Sequence, residues 1–402
     1  MQLCLSHPTE GYYMKPTHPV FGARGDFITS PEISQVFGEL VGIWLLSQYL
    51  SSGRARKIRI VELGPGRGTL MDDILRTLAQ LPASRSIGIS VHLVESSASL
   101  QGIQEQQFRP WATKHNIQQH WYSSLDEIAA DEESYTMLIA HEFFDALPFH
   151  LLEKTHKGWQ EVMISSIPDP SAPTILRPGD ISSPTAARPS ASLDVSTLST
   201  SPHRFRPVLS SEPSPVSMLL SSSSPRFQRL PVGSRIEVSP SSFKIARKVG
   251  ELVGGDTLGC ALVVDYGDDK AFGNSFRAFK NHKITDPFHL PGECDLTANV
   301  DFAYLREAIG DTATCHGPLT QHAFLTRMGL QARVQALERA ATSEERREAI
   351  RSATGRLIDL TGMGKEYKVL GITPNAAGDV WPFIEEEAQK PSESNSGVKS
   401  SS

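Results

Sequence analysis

Three glycines spaced two residues apart form the clearest chemical signal in this sequence. Gly64, Gly66 and Gly68 follow the apolar segment Lys57 to Leu63, in which Glu62 stands just before the turn. Glycine lets the backbone approach a bound nucleoside closely, and the following helix offers free N–H groups. The G-x-G-x-G spacing differs from the G-x-G-x-x-G of dinucleotide folds. It favours a ligand without a pyrophosphate, such as S-adenosylmethionine with its methionyl part over the glycines; the alternative is a turn that binds no ligand.

A second carboxylate, Glu95, ends the next apolar segment, Val91 to Val94. In nucleotide-binding α/β folds an acidic residue at this strand end accepts hydrogen bonds from ribose hydroxyls. Glu95 lies 27 residues beyond Gly68, which leaves room for one helix and one strand. We therefore predict that Glu95, together with Glu62 and the three glycines, binds the methyl donor S-adenosylmethionine. Without the glycine turn, Glu95 would be interpreted as a solvated loop acid.

The third cluster, His141 to Pro148, follows the apolar segment Ser134 to Ala140. The carboxyl ends of parallel strands face the ligand crevice, so this cluster should border the transferred methyl group. Glu142 and Asp145 are the candidate catalytic residues, because carboxylates can fix a guanidinium by paired hydrogen bonds and stabilise its charge. The side chains expected to contact the substrate are His141, Phe143, Phe144, Asp265 and Tyr266. The pattern is not H-E-x-x-H, so no metal site is predicted; the alternative is two core phenylalanines and a surface acid.

Three other stretches are weaker candidates. Asp265 and Tyr266 end another apolar strand and could reach the crevice. Residues Gly25 to Glu32 could form a lid over the donor. Asp295 to Phe302 is equally well explained as the start of a helix with Asp301 as its cap.

Alternating strands and helices must position these residues. The pattern predicts strands over residues 57–63, 87–95, 134–140 and 259–266, with helices over 69–81, 97–108 and 241–252. Such alternation implies a parallel sheet covered by helices on both faces. The predicted fold class is therefore α/β, a Rossmann-like sheet with an N-terminal helical lid and an inserted and C-terminal subdomain. From this alternation together with the G-x-G-x-G turn, we expect the class I methyltransferase form of this sheet.

Five regions follow from changes in composition along the chain. Residues 1–50 form the lid and a helix, with Ser30 as N-cap, and residues 51–165 the donor-binding core. Residues 166–230 are rich in Ser and Pro, and we expect a mostly disordered insertion with one short strand near Arg204 to Leu209. Residues 231–385 complete the catalytic domain, and residues 386–402 form a disordered tail.

The composition excludes several classes of protein. The chain has 402 residues and a formal net charge of -6, so a general nucleic-acid binder, which is normally basic, is disfavoured. No run of about 18 apolar residues occurs, so no bilayer span is expected. The four cysteines form no C-x-x-C pair, which argues against a zinc site or a disulfide framework. The oligomeric state stays open at this level.

Taken together, the motifs resemble those of the MidA-like methyltransferases, which are mitochondrial complex I assembly factors of the protein-arginine methyltransferase type. The segments that carry the resemblance, in order along the chain, are 25–34, 61–70, 141–148, 265–267, 295–298, 321–325 and 363–365. The resemblance implies S-adenosylmethionine as donor and symmetric dimethylation of an arginine in a peripheral-arm subunit of NADH:ubiquinone oxidoreductase. It also implies the mitochondrial matrix, although the first residues are not a transit peptide. Met1 falls within an early helix of that family, so we expect the chain to be a truncated gene model or a fragment.

Two other functions fit part of the sequence. A non-catalytic chaperone for complex I assembly would retain the fold, but it has no physical need for the glycine turn or Glu95. A nicotinamide-dependent oxidoreductase is disfavoured by the G-x-G-x-G spacing. Donor binding distinguishes the methyltransferase from the oxidoreductase, and methylation of a partner distinguishes it from the chaperone.

Overall fold

The computed structural model describes residues 1–15, 28–53, 56–80, 87–168, 203–255, 257–288, 290–375 and 377–384. The helices are α1 Gln2–Ser6, α2 Ser30–Ile33, α3 Gln35–Ser51, α4 Thr69–Ala79, α5 Ala98–His115, α6 Pro215–Ser222, α7 Pro225–Gln228, α8 Pro240–Val253, α9 Phe302–Ile309, α10 Gln321–Arg327, α11 Leu330–Ala340, α12 Glu344–Ile358 and α13 Met363–Glu366. The strands are β1 Lys57–Leu63, β2 Ile89–Val94, β3 Gln118–Tyr122, β4 Ser134–His141, β5 His150–Thr155, β6 Gly158–Pro168, β7 His203–Leu209, β8 Arg235–Val238, β9 Gly259–Asp268, β10 Arg277–Lys280, β11 Lys283–Thr285, β12 Asp295–Thr297, β13 Val300–Asp301, β14 Thr314–Thr320 and β15 Tyr367–Thr373.

The central sheet has the strand order β14-β15-β9-β4-β1-β2-β3, and β13 pairs with β9 beside this path. Strand β1 pairs in parallel with both β2 and β4, and β4 pairs in parallel with β9. Strand β15 runs antiparallel between β9 and β14. The predicted Rossmann-like sheet is therefore confirmed.

Successive side chains of β1 point to opposite faces of the sheet, and helices cover both faces. Ile60 packs in a buried cluster with Ile74 of α4, whereas Val61 belongs to a second cluster with Val249 of α8. This alternation is the period of two expected for a strand. Burying an aliphatic side chain of this size contributes roughly 1.5–3 kcal/mol, so packing on both faces holds the end of β1 in place.

The strand order reverses at β1, because β2 lies on one side of it and β4 on the other. In open α/β sheets ligands bind outside the carboxyl ends of the strands at such a reversal. The glycine turn leaves β1 at this point, and the segment beginning at Glu142 leaves β4 beside it. The fold thus brings two of the predicted clusters to one edge of the sheet.

Two small antiparallel sheets, β7-β6-β5-β8 and β11-β10-β12, accompany the central sheet. Strands β5 and β6 form a hairpin that the sequence did not predict. Leu152 of β5 and Trp159 of β6 pack with Ile236 and Phe227 in a separate buried cluster. Strands β10 and β12 matter for function, because residues of both reach the cavity described below.

The Ser/Pro-rich region contains regular structure where we expected mostly disorder. The short strand near Arg204 to Leu209 is present as β7, but residues 215–228 form α6 and α7, so the prediction of disorder is wrong there. Each helix begins with a serine cap followed by a proline. Oγ of Ser214 accepts a hydrogen bond from N of Ser217, and Oγ of Ser224 accepts one from N of Arg226. Serine and proline at this spacing start helices.

Several predicted boundaries also shift. Helix α5 continues to His115 through Pro110 and ends at Asn116, whose φ of 54° is left-handed. Thr29, not Ser30, takes the N-cap position of α2, and its N donates to Oε2 of Glu32 at 3.3 Å. Strand β3 was not predicted. The alternative role for Asp301 is confirmed, because its Oδ1 accepts a hydrogen bond from N of Tyr304 at the start of α9.

Some expectations fall outside the described residues. These are the first part of the candidate lid, residues 25–27, most of the insertion, residues 169–202, and the tail from 386 onward. In the described ranges, no helix combines the length and apolar character needed to cross a membrane. The same ranges contain no group of three or more His, Cys, Asp and Glu side chains arranged to hold a metal ion.

Candidate active site

A cavity of about 420 Å³ lies at the carboxyl ends of the central strands. One side is formed by the glycine turn, the end of β2 and the loop after β3, and another by the segment after β4 and one face of α8. The remaining side comes from distant parts of the chain: Leu5, Ser6, Tyr13, Phe279, Asp295 and Thr297. A second cavity of about 50 Å³ shares Gly64, Gly66 and Glu142 with the first.

The three glycines of the turn all have left-handed φ values, +62° at Gly64, +55° at Gly66 and +84° at Gly68. A Cβ atom on Gly64 would lie 2.9 Å from Cδ2 of Phe143. Gly64 and Gly66 line the cavity, but Gly68 does not. A Cβ on Gly68 would lie 2.5 Å from Cζ of Phe108, so Gly68 is required for packing at the start of α4. We therefore correct its predicted donor contact.

Glu62 is buried at the end of β1 and lines the smaller cavity. Its Oε2 is buried and makes no hydrogen bond with the described residues. Burial and the nearby charge of Glu95 raise the pKa of Glu62 to about 8. A buried carboxylate oxygen that accepts no hydrogen bond is costly unless a ligand donates one. Glu62 is therefore suited to bind a cationic group of a ligand.

Glu95 lines the main cavity at the end of β2. Its Oε1 accepts a hydrogen bond of 2.8 Å from N of Ser97, and its Oε2 accepts one of 3.3 Å from Nε2 of Gln104. Burial raises the pKa of Glu95 to about 7, against the opposing effect of these hydrogen bonds. Glu95 thus presents a fixed carboxylate to the cavity.

Glu142 lines both cavities and has a left-handed φ of 49°, which is uncommon for a residue with a side chain. The hydroxyl of Tyr367 donates a hydrogen bond of 2.7 Å to its Oε1. Burial raises the pKa of Glu142 to about 8, while this hydrogen bond acts in the opposite direction. Nε2 of His141 lies 3.6 Å from the same oxygen, but burial lowers the pKa of His141 to about 3, so this imidazole is neutral.

Asp145 lines the main cavity, and Oγ1 of Thr297 donates a hydrogen bond of 2.6 Å to its Oδ2. Burial raises the pKa of Asp145, and Thr297 and the Arg277 guanidinium oppose that rise. Asp295 lines the same wall, and its Oδ1 accepts a hydrogen bond of 2.7 Å from the hydroxyl of Tyr13. The cavity therefore has an acidic wall of Glu142, Asp145 and Asp295, which suits a cationic group.

Asp265 does not contact the cavity as predicted. It is fully buried beneath the segment after β4, where its Oδ2 accepts backbone hydrogen bonds from Phe143, Phe144 and Asp145 at 3.1, 2.9 and 3.3 Å. Its Oδ1 accepts one of 2.9 Å from N of Tyr266. Asp265 thus fixes the backbone that carries the acidic residues, and we correct its predicted substrate contact.

The other predicted substrate-contact residues divide into two groups. Phe143 and Tyr266 line the main cavity. Phe144 is buried in the core, where it packs with Leu63 and Val300, and His141 lines only the smaller cavity. The structure therefore brings Glu142, Asp145, Phe143 and Tyr266 together with Gly64, Gly66 and Glu95. We correct the predicted substrate contact of Phe144, whereas that of His141 stays a prediction.

Several cavity residues were missed by the sequence analysis. Asp295 and Thr297 lie in the stretch Asp295 to Phe302, which we kept only as a weaker candidate, and Tyr13 had no local signal. Tyr367, which contacts Glu142 without lining the cavity, had no local signal either. The loop after β3, residues 123–126, and the face of α8 with Lys244 and Lys248 were also missed. The loop could have been found, because it follows the strand next to β2 at the same edge of the sheet.

These residues fit S-adenosylmethionine. The main cavity lies within the range of roughly 300–1,000 Å³ typical of small-molecule sites. The unpaired oxygen of Glu62 can accept hydrogen bonds from an ammonium group, and Glu95 can accept them from ribose hydroxyls. Gly64 and Gly66 line both cavities and so lie between the smaller cavity, which contains Glu62, and the main cavity, which contains Glu95.

Comparison with known proteins supports S-adenosylmethionine as the ligand. Residues 40–319 match a family described as S-adenosyl-L-methionine-dependent methyltransferase. The protein arginine methyltransferase NDUFAF7, mitochondrial, of Danio rerio is 35% identical over 392 residues, which cover 94% of this chain and 82% of that protein. The protein of the same name from Homo sapiens is 33% identical, with coverage of 93% and 79%. The Drosophila melanogaster homolog is 37% identical, with coverage of 96% and 83%.

A solved structure has a similar fold. It is a crystal structure of a superfamily member from Burkholderia thailandensis, bound to S-adenosyl-homocysteine. It superposes with a TM-score of 0.67 at 21% identity and covers 92% of this chain and 86% of that chain. At this identity the likeness concerns the fold.

Proposed function

This chain belongs to the family of S-adenosyl-L-methionine-dependent methyltransferases, and from that premise we propose that it methylates an arginine side chain of a protein. The observation that carries the proposal is the acidic wall of the cavity, where Glu142 and Asp145 lie on the same cavity as Gly64 and Gly66. Carboxylates bind a guanidinium by charge-assisted hydrogen bonds. Curated relatives named protein arginine methyltransferase support the same acceptor.

S-adenosylmethionine supplies a methyl group on a sulfonium centre. On the donor side, Glu62 accepts hydrogen bonds from the ammonium group and Glu95 from the ribose hydroxyls, while Gly64 and Gly66 allow close approach to the backbone. On the acceptor side, Glu142 and Asp145 orient the guanidinium so that one nitrogen faces the methyl carbon. Because methyl transfer depends mainly on alignment, this positioning supplies most of the rate enhancement.

The reaction forms a bond between the acceptor nitrogen and the methyl carbon and breaks the bond between that carbon and sulfur. The nitrogen loses a proton, so that the charge of the guanidinium is unchanged and the sulfonium charge is lost. Glu142 is the group placed to receive this proton, since burial raises its pKa to about 8 and Tyr367 holds one of its oxygens. Asp145, held by Thr297, anchors the guanidinium.

The acceptor protein and the location follow from the family resemblance and from the names of the relatives. We place the acceptor arginine in a peripheral-arm subunit of mitochondrial complex I, with symmetric dimethylation as the product and support of complex I assembly as the result. Relatives from Danio rerio, Homo sapiens and Drosophila melanogaster carry "mitochondrial" in their names, which supports the mitochondrial matrix as the site of action.

The first test is calorimetric titration with S-adenosylmethionine and, in parallel, NADH. Selective binding of S-adenosylmethionine is the expected result, and selective binding of NADH would overturn the proposal.

The second step is incubation with labelled donor and purified peripheral-arm subunits, followed by mass spectrometry for dimethylarginine and its symmetric form. Binding of a subunit without methylation would instead identify an assembly chaperone.

A further inference from the structure

Gln104, a fully buried residue of α5, joins the glycine turn, the end of β2 and strand β3 through its side-chain amide. Its Nε2 donates hydrogen bonds to the carbonyl oxygen of Gly66 at 2.8 Å and to Oε2 of Glu95 at 3.3 Å. Its Oε1 accepts a hydrogen bond of 2.9 Å from Nε1 of Trp121. An indole N–H only donates, and carbonyl and carboxylate oxygens only accept. These three partners therefore allow a single orientation of the amide.

We infer that Gln104 is a positioning residue that ties the carboxylate of Glu95 to the glycine turn and so fixes the ribose subsite. This inference rests on the proposed function, in which Glu95 binds the ribose hydroxyls. Gln104 itself does not line the cavity, whereas Gly66 and Glu95 do. It therefore acts on the ligand through these two residues.

The hydrogen bonds leave Glu95 able to bind a ligand. An ionised carboxylate has about four lone-pair sites, and the structure assigns one to N of Ser97 and one to Gln104. The two oxygens are thus held in place and retain capacity for a pair of hydroxyls. Without Gln104, the carboxylate would have to be ordered during binding, which lowers the affinity gained from the ribose hydroxyls.

The inference is tested with a chemical double-mutant cycle. Wild type, Gln104→Met and Gln160→Met are titrated with S-adenosylhomocysteine and with its 2′-deoxy analogue. Gln160 is a matched control, because it is also buried but donates to the carbonyl oxygen of Ser210, at 2.6 Å, in the β7-β6-β5-β8 sheet. We expect wild type and Gln160→Met to prefer the natural ligand roughly ten- to a hundredfold, as a hydrogen bond to a charged group permits. In Gln104→Met that preference should fall below about threefold.

The ratio of the two affinities separates positioning from general damage, because a loosened fold weakens both ligands alike. An unchanged ratio in folded Gln104→Met would overturn the inference while leaving the proposed function in place. Failure of the wild type to bind S-adenosylhomocysteine would instead overturn both. If Gln104→Met does not fold, as judged by circular dichroism, Trp121→Phe replaces it, since it frees only Oε1 of Gln104. There too the ratio should fall, and an unchanged ratio refutes the inference.

Discussion

Tyr367 donates a hydrogen bond of 2.7 Å to Oε1 of Glu142, although 225 residues separate the two in the chain. The contact exists because β15, which begins at Tyr367, lies antiparallel beside β9. Tyr266 of β9 packs against the Tyr367 ring, with 4.0 Å between ring centroids. A hydrogen-bond donor to the carboxylate favours its ionised form, so the last described strand adjusts the acidity of the group that we propose as the proton acceptor.

The first prediction concerns Glu142 and Tyr367 as a pair. Glu142→Gln removes the proton acceptor and should lower the rate of methyl transfer by about 10²–10⁴, with donor affinity changed by less than about threefold. Tyr367→Phe should lower the rate roughly tenfold, because it removes one hydrogen bond to a charged group. Single-turnover transfer of a labelled methyl group measures both rates.

Tyr49→Phe is the control, since Tyr49 donates to the carbonyl oxygen of Arg56 and does not line the cavity. Wild-type rates in Glu142→Gln would exclude it from the chemistry.

The second prediction is a pH profile. Glu142 must be ionised to receive a proton, and its pKa is raised to about 8 by burial. The ionised fraction therefore increases as the pH rises toward 8. At saturating S-adenosylmethionine, the logarithm of the rate should rise with pH with a slope near one below pH 8 and should level off above it. Tyr367→Phe should move the midpoint upward, because the hydrogen bond that stabilises the ionised form is lost. A flat profile between pH 6 and pH 8 would be incompatible with this role.

The third prediction links Glu62 to stability. Its pKa is raised from 4.5 to about 8 by burial and by Glu95. Between these values the folded state keeps a proton that the unfolded state has released, so the free energy of unfolding falls as the pH rises. The contribution of Glu62 to stability is complete below about pH 4.5 and is lost as the pH rises through about 8. Glu62→Gln should flatten this dependence, by on the order of 1 kcal/mol per pH unit, and should weaken donor binding.

Urea unfolding at pH 5.5 and pH 8 measures the slope, and calorimetry measures donor affinity. Glu212→Gln serves as a control, because its carboxylate is exposed and pairs with Lys157 away from the cavity. An equally steep pH dependence in Glu62→Gln would show that Glu62 is not the group responsible.

The fourth prediction concerns Gly66. Gly66→Val places a branched side chain at a left-handed φ of +55° on the cavity wall, so donor binding should be lost while the fold is retained. Gly53→Val is the matched control, because Gly53 has a φ of +64° and a Cβ there would meet nothing within 4 Å. The control carries the same backbone strain, of order 1–2 kcal/mol, away from the cavity. Normal donor affinity in folded Gly66→Val would refute the placement of the donor.

The fifth prediction concerns Asp265. Asp265→Asn directs an amide toward backbone N–H groups that need an acceptor, so the free energy of unfolding should fall by roughly 1–3 kcal/mol. Methyl transfer should decrease at saturating donor, because the segment carrying Glu142 and Asp145 loses its support. Donor affinity should change little. Denaturant unfolding and single-turnover rates check this, and a variant with reduced stability but an unchanged rate would limit Asp265 to a structural role.

Local sequence patterns predicted the part of the site that is local in the chain. Strand β1, the glycine turn and α4 follow one another directly, so apolar periodicity and three glycines were sufficient to find them. The same reasoning identified the segment after β4. It misjudged residues 215–228, because serine and proline were counted as composition, although their positions at Ser214-Pro215 and Ser224-Pro225 start helices.

The remaining residues of the site depend on pairings between distant segments. Tyr367 meets Glu142 only through the pairing of β15 with β9, and Tyr13 meets Asp295 across 282 residues. Asp265 was identified from the sequence, but the direction of its side chain was not. A carboxylate at a strand end can point either into the crevice or toward the backbone of the neighbouring segment. Burial and hydrogen bonding decide between these, and both are properties of the assembled fold.

The amino-terminal segment has a consequence for biosynthesis. Leu5 and Tyr12 pack with Ala278, Cys294 and Leu296 in a buried cluster beside the cavity. Translation proceeds at about 5–20 residues per second, so roughly 15 to 60 s pass between the synthesis of Leu5 and that of Leu296. During that interval the apolar side chains made first have none of these partners. The side of the cavity formed by Leu5, Phe279 and Asp295 can therefore close only late in synthesis, after the glycine turn and Glu95 have already been made.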